Sequence, residues 1–154
     1  MSDPILRESL IRFNRIYRET NEFYHTLARR FQLSDCAFWI LYTMREFAAP
    51  CTQAELCTSL CLSRQTINSA IQQLRKAGYL DLLSAPDGRA GKPLVLTQAG
   101  EALAARTVDR VFALEEDALG HFSPEEREQF LALNQRYLHN LRQRTDTLLE
   151  DVPL

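Results

Sequence analysis

Between Ser63 and Lys76 the chain carries amides and hydroxyls where a solvent-facing helix ordinarily carries glutamate and lysine. Ile67, Ile71 and Leu74 recur at steps of three or four, so Ser63 caps a helix that has one apolar side and stops at Gly78. Opposite that side lie Gln65, Asn68, Ser69, Gln72 and Lys76, with Arg64 and Thr66 in the first turn. Such groups donate to and accept from base-pair edges in a major groove wide enough for one helix, Arg suiting guanine and Asn or Gln suiting adenine. Ser63 and Thr66 at the helix N-terminus suit a phosphate. The competing reading is an ordinary polar solvent face, and composition alone does not separate the two.

After Gly78 the hydrophobic period shortens. Tyr79 to Leu83 and Leu94 to Leu96 flank Pro86, Asp87, Gly88 and Gly91, which predicts a hairpin with Asp-Gly as its turn signal. Its tip holds Arg89 and Lys92, and an arginine on a two-stranded arm reaches a narrow minor groove, where negative potential is enhanced. Asp87 either orients Arg89 or serves the turn with Gly88, and the turn is the expected role. The charge distribution agrees with this placement. Residues 62–97 carry five cations against two acids, a local +3, although the whole chain is −2. Residues 1–61 are balanced at seven each, and residues 98–154 hold six cations against eleven acids. The positive field is therefore confined to one stretch, where a phosphate-contacting surface belongs.

Elements that would position these groups are marked by caps. Asp3 and Pro4 open a long amphipathic helix through Leu6, Leu10, Phe13, Tyr17, Tyr24 and Leu27 that ends near Arg30. Ser34 caps a second helix that is apolar almost all round from Cys36 to Tyr42, so others must enclose it. Thr52 with Glu55 forms a capping box for a third, short helix ending near Leu60, and the Ser63 helix follows within a few residues, a helix-turn-helix candidate. Thr97 caps a fifth helix, expected to run unbroken through Leu103, Val108 and Leu119 to Gly120. Ser123, Pro124, Glu125 and Glu126 open a sixth, striped by Phe130, Leu133, Tyr137 and Leu141. The expected fold is mainly α with a small β-hairpin wing: four helices, a hairpin and two helices.

Other chemistries find less support. Cys36 and Cys51 sit near helix starts, where the helix dipole favours a thiolate, and they are the candidate redox thiols. Cys57 and Cys61 lie four apart, which on a helix puts them on one face as metal or redox partners; small residues are needed where two helices cross at a tight turn, and packing is the role expected ahead of that one. With no signal-like apolar segment or membrane span, the expected location is cytoplasmic and no disulfide framework is expected. His25, His121 and His139 have no metal spacing, so no metal is expected. Phe13, Tyr17, Trp39 and Tyr42 read either as core or as the lining of a pocket for a small aromatic effector. No nucleophile elbow, phosphate loop or dinucleotide fingerprint is present, so neither an enzyme nor a cofactor is expected.

The segment Leu62 to Leu80, LSRQTINSAIQQLRKAGYL, together with Asp87-Gly88-Arg89 and Leu96-Thr97-Gln98-Ala99-Gly100 leading to Leu103, resembles the MarR family of winged helix-turn-helix transcriptional regulators. The last group looks like that family's LTxxGxxL signature, and Asp87 with Arg89 looks like its DxR wing motif. The resemblance implies a single domain over 1–154, with a DNA-binding part at 34–97 and dimerisation helices at 3–31 and 98–150. It also implies a homodimer, with the fourth helix as recognition helix and the hairpin as wing. The expected function is then a ligand- or redox-responsive repressor that binds double-stranded DNA at a pseudo-palindromic operator, with half-sites about 10 base pairs apart. The alternative is a winged-helix protein-interaction or dimerisation module that binds no DNA.

Overall fold

A computed structural model describes residues 3–47, 50–83 and 92–150, with side chains as far as Thr145. The chain forms two compact units, Met1–Arg110 and Val111–Leu154. In the first, α1 (Pro4–Arg30) starts where the Asp3 carboxylate accepts from the Ile5 N–H at 3.0 Å. Ser34 accepts from the Ala37 N–H at the start of α2 (Asp35–Phe47). At α3 (Gln53–Leu60) the capping box is reciprocal: Thr52 accepts from the Glu55 N–H, and the Glu55 carboxylate accepts from the Thr52 N–H at 2.6 Å. Cys61 then adopts a left-handed conformation, φ 52°, which turns the chain towards α4 (Arg64–Lys76). Gly78, at φ 79°, ends α4, and the Tyr79 N–H closes the turn on the Leu74 carbonyl.

Enclosure of α2 follows from its lack of a polar face. It packs against α1, α3 and α4, and Phe38, Ile40 and Leu41 are fully buried, joined in the core by Leu56 of α3 and Ile67 of α4. The hairpin pairs β1 (Leu80–Leu82) antiparallel with β2 (Leu94–Leu96), Leu80 opposite Leu96 and Leu82 opposite Leu94. Pro93 precedes β2 and only accepts, taking the Leu83 N–H at 2.8 Å, which is the use of a proline at a strand start. One strand contact was not foreseen: Leu94 also bridges to Cys51, its N–H donating to the Cys51 carbonyl at 2.7 Å. The expected Asp87-Gly88 turn lies outside the described residues.

The fifth helix is not continuous. It divides into α5 (Gln98–Arg106) and α6 (Val108–Gly120), with Thr107 at φ −123° and ψ −91° between them, so three helices follow the hairpin instead of the expected two. Thr107 is buried, and its hydroxyl donates to the Leu103 carbonyl at 2.7 Å, the back-bonding that bends helices. Arg45 of α2 straddles the break: its guanidinium meets Asp109 of α6 at 2.8 and 3.1 Å and Glu101 of α5 at 2.8 Å.

The second unit contains the remainder of α6 and α7 (Pro124–Glu150). The N-terminus of α7 is held by a second reciprocal pair, the Ser123 N–H donating to Glu126 and the Glu126 N–H to Ser123. Phe122 and Phe130 meet edge-on at 6.1 Å. No helix among the described residues is long and apolar enough to cross a membrane.

Candidate nucleic-acid interface

Burial of Ile67, Ala70, Ile71 and Leu74 turns the other side of α4 outward, and Arg64, Gln65, Thr66, Asn68, Ser69, Gln72 and Lys76 are all exposed. At its start the Ser63 hydroxyl accepts from the Thr66 N–H at 3.1 Å and pairs with the Thr66 hydroxyl at 2.8 Å, so these two groups fix the first turn through each other. Gln53 of α3 adds a tie, its Nε2 donating to the Arg64 carbonyl at 3.2 Å. The helix is thus held rigidly at the end where it presents most of its polar groups.

Beside it lies a cleft of about 630 Å³ walled by α3, α4 and the two strands of the hairpin. Arg64, Asn68 and Gln72 of α4 and Lys92 of the hairpin line it, which brings together four of the residues singled out by type and spacing. Gln65, Ser69 and Lys76 share the exposed face without lining the cleft, and Arg89 lies outside the described residues. Two contributors were missed. Arg75 continues the row of Asn68 and Gln72 by a step of three, a periodicity that could have found it. Gln53 reaches the cleft only because α3 packs on α4, and no spacing within the sequence encodes that. Arg64, Arg75 and Lys92 place three cations on the wall, with no carboxylate among the described lining residues. The arrangement suits a polyanion: charge is focused in a concave site beside a row of amides.

The cysteines separate into different environments. Cys51 is 2% exposed, and burial, with the Glu55 charge second, pushes its thiol up to about 11. That environment holds it as S–H, against its expected role as an oxidant sensor, because strand pairing with Leu94 covers it. Cys36 remains part-exposed at the start of α2, its Sγ 3.9 Å from the Thr66 carbonyl oxygen. Cys57 is part-exposed and lines the cleft, while Cys61 is exposed at the left-handed turn and donates to the Thr58 carbonyl, so neither is the closely packed core residue expected. Iodoacetamide applied to the folded protein at pH 8 is expected to modify Cys61 first and Cys51 last, about tenfold or more slower. Peptide mapping over time gives the order, and equal rates at Cys51 and Cys61 would contradict the burial argument.

Trp39 and Tyr42 are half-buried and meet at 5.3 Å, with Tyr24 5.0 Å and Phe38 5.1 Å from the Trp39 ring. Phe13 and Tyr17 stand on α1 two or more turns before Tyr24 and are 38% and 61% exposed. His25 meets the Asp35 carboxylate at 2.9 Å and His121 meets the Asp117 carbonyl at 2.8 Å. No group of three or more metal-ligating side chains occurs among the described residues.

Residues 31–90 match the model of the MarR family. The chain is 31% identical over 106 residues to the HTH-type transcriptional regulator PecS of Dickeya dadantii (strain 3937), a match covering 68% of this chain and 64% of PecS, less than two thirds of that relative. Among solved structures it is similar to NMB1585, a MarR family regulator from Neisseria meningitidis, with a TM-score of 0.71 at 21% identity, covering 94% of this chain and 98% of that one. It is also similar to MepR from S. aureus, solved as a complex with DNA, with a TM-score of 0.66 at 21% identity over 84% of this chain and 93% of that one. The winged helix-turn-helix architecture and the matched segment that spans α4 converge: residues 31–90 of this chain match the MarR family, and the fold around them is that of solved MarR family regulators.

Proposed function

We propose that the protein is a sequence-specific DNA-binding regulator that acts as a homodimeric repressor on a pseudo-palindromic operator and responds to a small ligand or to thiol oxidation. The observation that carries this reading is the exposed amide row of α4 beside a cleft with three cations and no carboxylate among its described lining residues. In this reading Gln65, Asn68, Ser69 and Gln72 read base edges. Ser63, Arg64, Thr66, Lys76, Arg89 and Lys92 position the phosphates, joined by Arg75. Residues 34–97 are the DNA-binding part. The S. aureus relative solved with DNA supports the partner class. Family members are transcription regulators rather than enzymes, which agrees with the absence of catalytic motifs in the sequence.

Exposed apolar side chains support the second copy. Ile5, Leu6 and Ile16 of α1 are 75%, 65% and 62% exposed, and Phe130, Leu131 and Leu141 of α7 are about half exposed. Large apolar side chains left exposed along long helices mark association surfaces, and residues 3–31 and 98–150 are assigned to dimerisation. Trp39 and Tyr42 are the effector-binding positions within the DNA-binding part, and Phe13 and Tyr17 are those on α1.

Selection of genomic fragments with the purified protein, followed by titration of intact and scrambled operators, tests the reading. Gln65→Ala and Asn68→Ala are each expected to cost about 1 to 3 kcal/mol on the intact operator and to relax base preference there. Arg75→Ala and Lys92→Ala are expected to weaken both sequences alike and to reduce the salt slope by about one each. Equal losses on both sequences for the α4 amide variants would remove the base-reading role. A protein that selects no fragment would leave the protein-interaction alternative in its place.

A further inference from the structure

A second cavity, of about 460 Å³, lies between the end of α2, the strand β2 and the first turn of α5. Its volume is that of a small-molecule site, and most of its described lining is apolar: Met44, Pro50, Leu94, Val95 and Leu96. Arg45 and Glu101 are the charged groups on its wall. Asp109 holds Arg45 through two contacts at 2.8 and 3.1 Å, and Glu101 adds one at 2.8 Å. One cation therefore meets two carboxylates, which leaves one formal negative charge beside an apolar surface. Glu101 is the carboxylate able to take a further donor: it lines the cavity, which Asp109 does not, its side chain is more than half exposed, and a carboxylate has about four acceptor positions. If Glu101 turns to an incoming donor, Arg45 keeps both Asp109 contacts and is not left unpaired. The balance of charge selects the ligand. An anion would add a third negative charge against one arginine, a hydrated metal ion finds no oxygen cage on an apolar wall, and an ammonium ion restores neutrality.

We propose that this cavity binds a small organic ammonium ion, its N–H donating to Glu101 and its apolar body lying on Met44, Pro50 and Leu94, and that occupancy disturbs the cleft beside α4. Leu94 joins the two sites: it is 1% exposed, it walls both the cavity and the cleft, and its N–H ties the hairpin to the Cys51 carbonyl. Lys92, two residues before Leu94, supplies one of the three cleft cations. A close-packed wall transmits displacement, so a ligand that presses on Leu94 from the cavity moves the cleft side of β2 and Lys92 with it. Trp39, Tyr42, Phe13 and Tyr17 are not among the described lining residues, so the site is separate from the aromatic effector positions. Only the loss of DNA affinity rests on the function proposed above; the binding of the ammonium ion does not.

The test titrates the full isotope-labelled chain with three probes of similar shape and different charge, phenethylammonium, phenethyl alcohol and hydrocinnamate, followed by amide NMR and by titration of a selected operator. Phenethylammonium is expected to shift the amides of Leu94, Val95, Leu96 and Glu101 most, and to bind at least about tenfold more tightly than the alcohol, with hydrocinnamate weaker still. Glu101→Gln is expected to weaken the ammonium probe about tenfold and to leave the alcohol unchanged, a split that a general loss of packing would not produce. With the ammonium probe at saturation the wild type is expected to bind the operator at least about threefold more weakly, and Glu101→Gln at the same concentration to keep its affinity. The amide map on wild type needs no variant, so it stands even where the substitution disturbs folding. Shifts centred on Trp39 and Tyr42, no shift at all, equal affinity for the three probes, or full operator affinity with the cavity occupied overturns the proposal. If the protein selects no DNA, the function proposed above fails, and the amide map with the charge series then decides the ammonium site alone.

Discussion

Gly100→Ala is expected to lower the stability of the folded chain by about 2 to 3 kcal/mol, opposite in sign to what helix propensity alone predicts. Gly100 lies in the first turn of α5 and is buried; an added Cβ would fall inside the contact radius of the Tyr79 carbonyl oxygen and crowd Leu96 Cδ2 at 3.2 Å. The oxygen cannot retreat cheaply, because it accepts the Thr97 N–H at 3.0 Å, and the Thr97 hydroxyl in turn accepts from the Gly100 N–H. Replacing glycine by alanine inside a helix would otherwise stabilise by about 1 kcal/mol, so steric overlap with fixed backbone must exceed that gain. Gly120→Ala is the internal control, since nothing lies within 4 Å of its Cβ. Urea denaturation of the two variants reads the difference directly, and a Gly100→Ala midpoint at or above wild type would show that α5 moves freely against Tyr79. The geometry also accounts for the signature around these residues: Leu96 belongs to β2, Thr97 caps α5 and ties it to the end of α4, Gly100 permits the close approach, and Leu103 enters the core.

Local contacts explain why most elements were legible in the sequence. Asp3, Ser34, Thr52, Ser63, Thr97 and Ser123 each accept from a backbone N–H two or three residues on, so the signal and its structural effect lie within one turn. Thr107 was not legible for the opposite reason. Leu103, Ala104, Val108 and Val111 are buried at helical spacing on both sides of it, and the pattern runs through the break without a gap. The exposed α4 face was legible because Ile67, Ile71 and Leu74, at helical spacing, are buried on the opposite side. The cleft beside it was only partly read, since Gln53 and Cys57 join it through the packing of α3 on α4. Cys51 was misassigned by the same limit: its position near a helix start is local, but the bridge to Leu94 that buries it is not.

Arg45 carries the second large expectation. Its planar guanidinium engages Asp109 through two nitrogens and Glu101 through one, a geometry that lysine's single ammonium does not reproduce. An exposed pair contributes about 0 to 1 kcal/mol, and breaking a buried one costs about 3 to 5. Here the Arg45 side chain is 26% exposed, while those of Asp109 and Glu101 are 39% and 54% exposed, so the cost should fall between those limits. Arg45→Met is therefore expected to destabilise by about 2 kcal/mol, leaving two carboxylates near each other across the Thr107 break with no cation between them. Arg45→Lys should recover less than half of that loss. A double-mutant cycle with Asp109→Asn isolates the contact from the packing of the aliphatic stem. Coupling of about 1 kcal/mol or more, diminishing as salt is raised, is the expected outcome. Coupling near zero at low salt would mean that Thr107 back-bonding and the burial of Val108 hold the break alone, and that the bidentate contact follows from the bend without maintaining it.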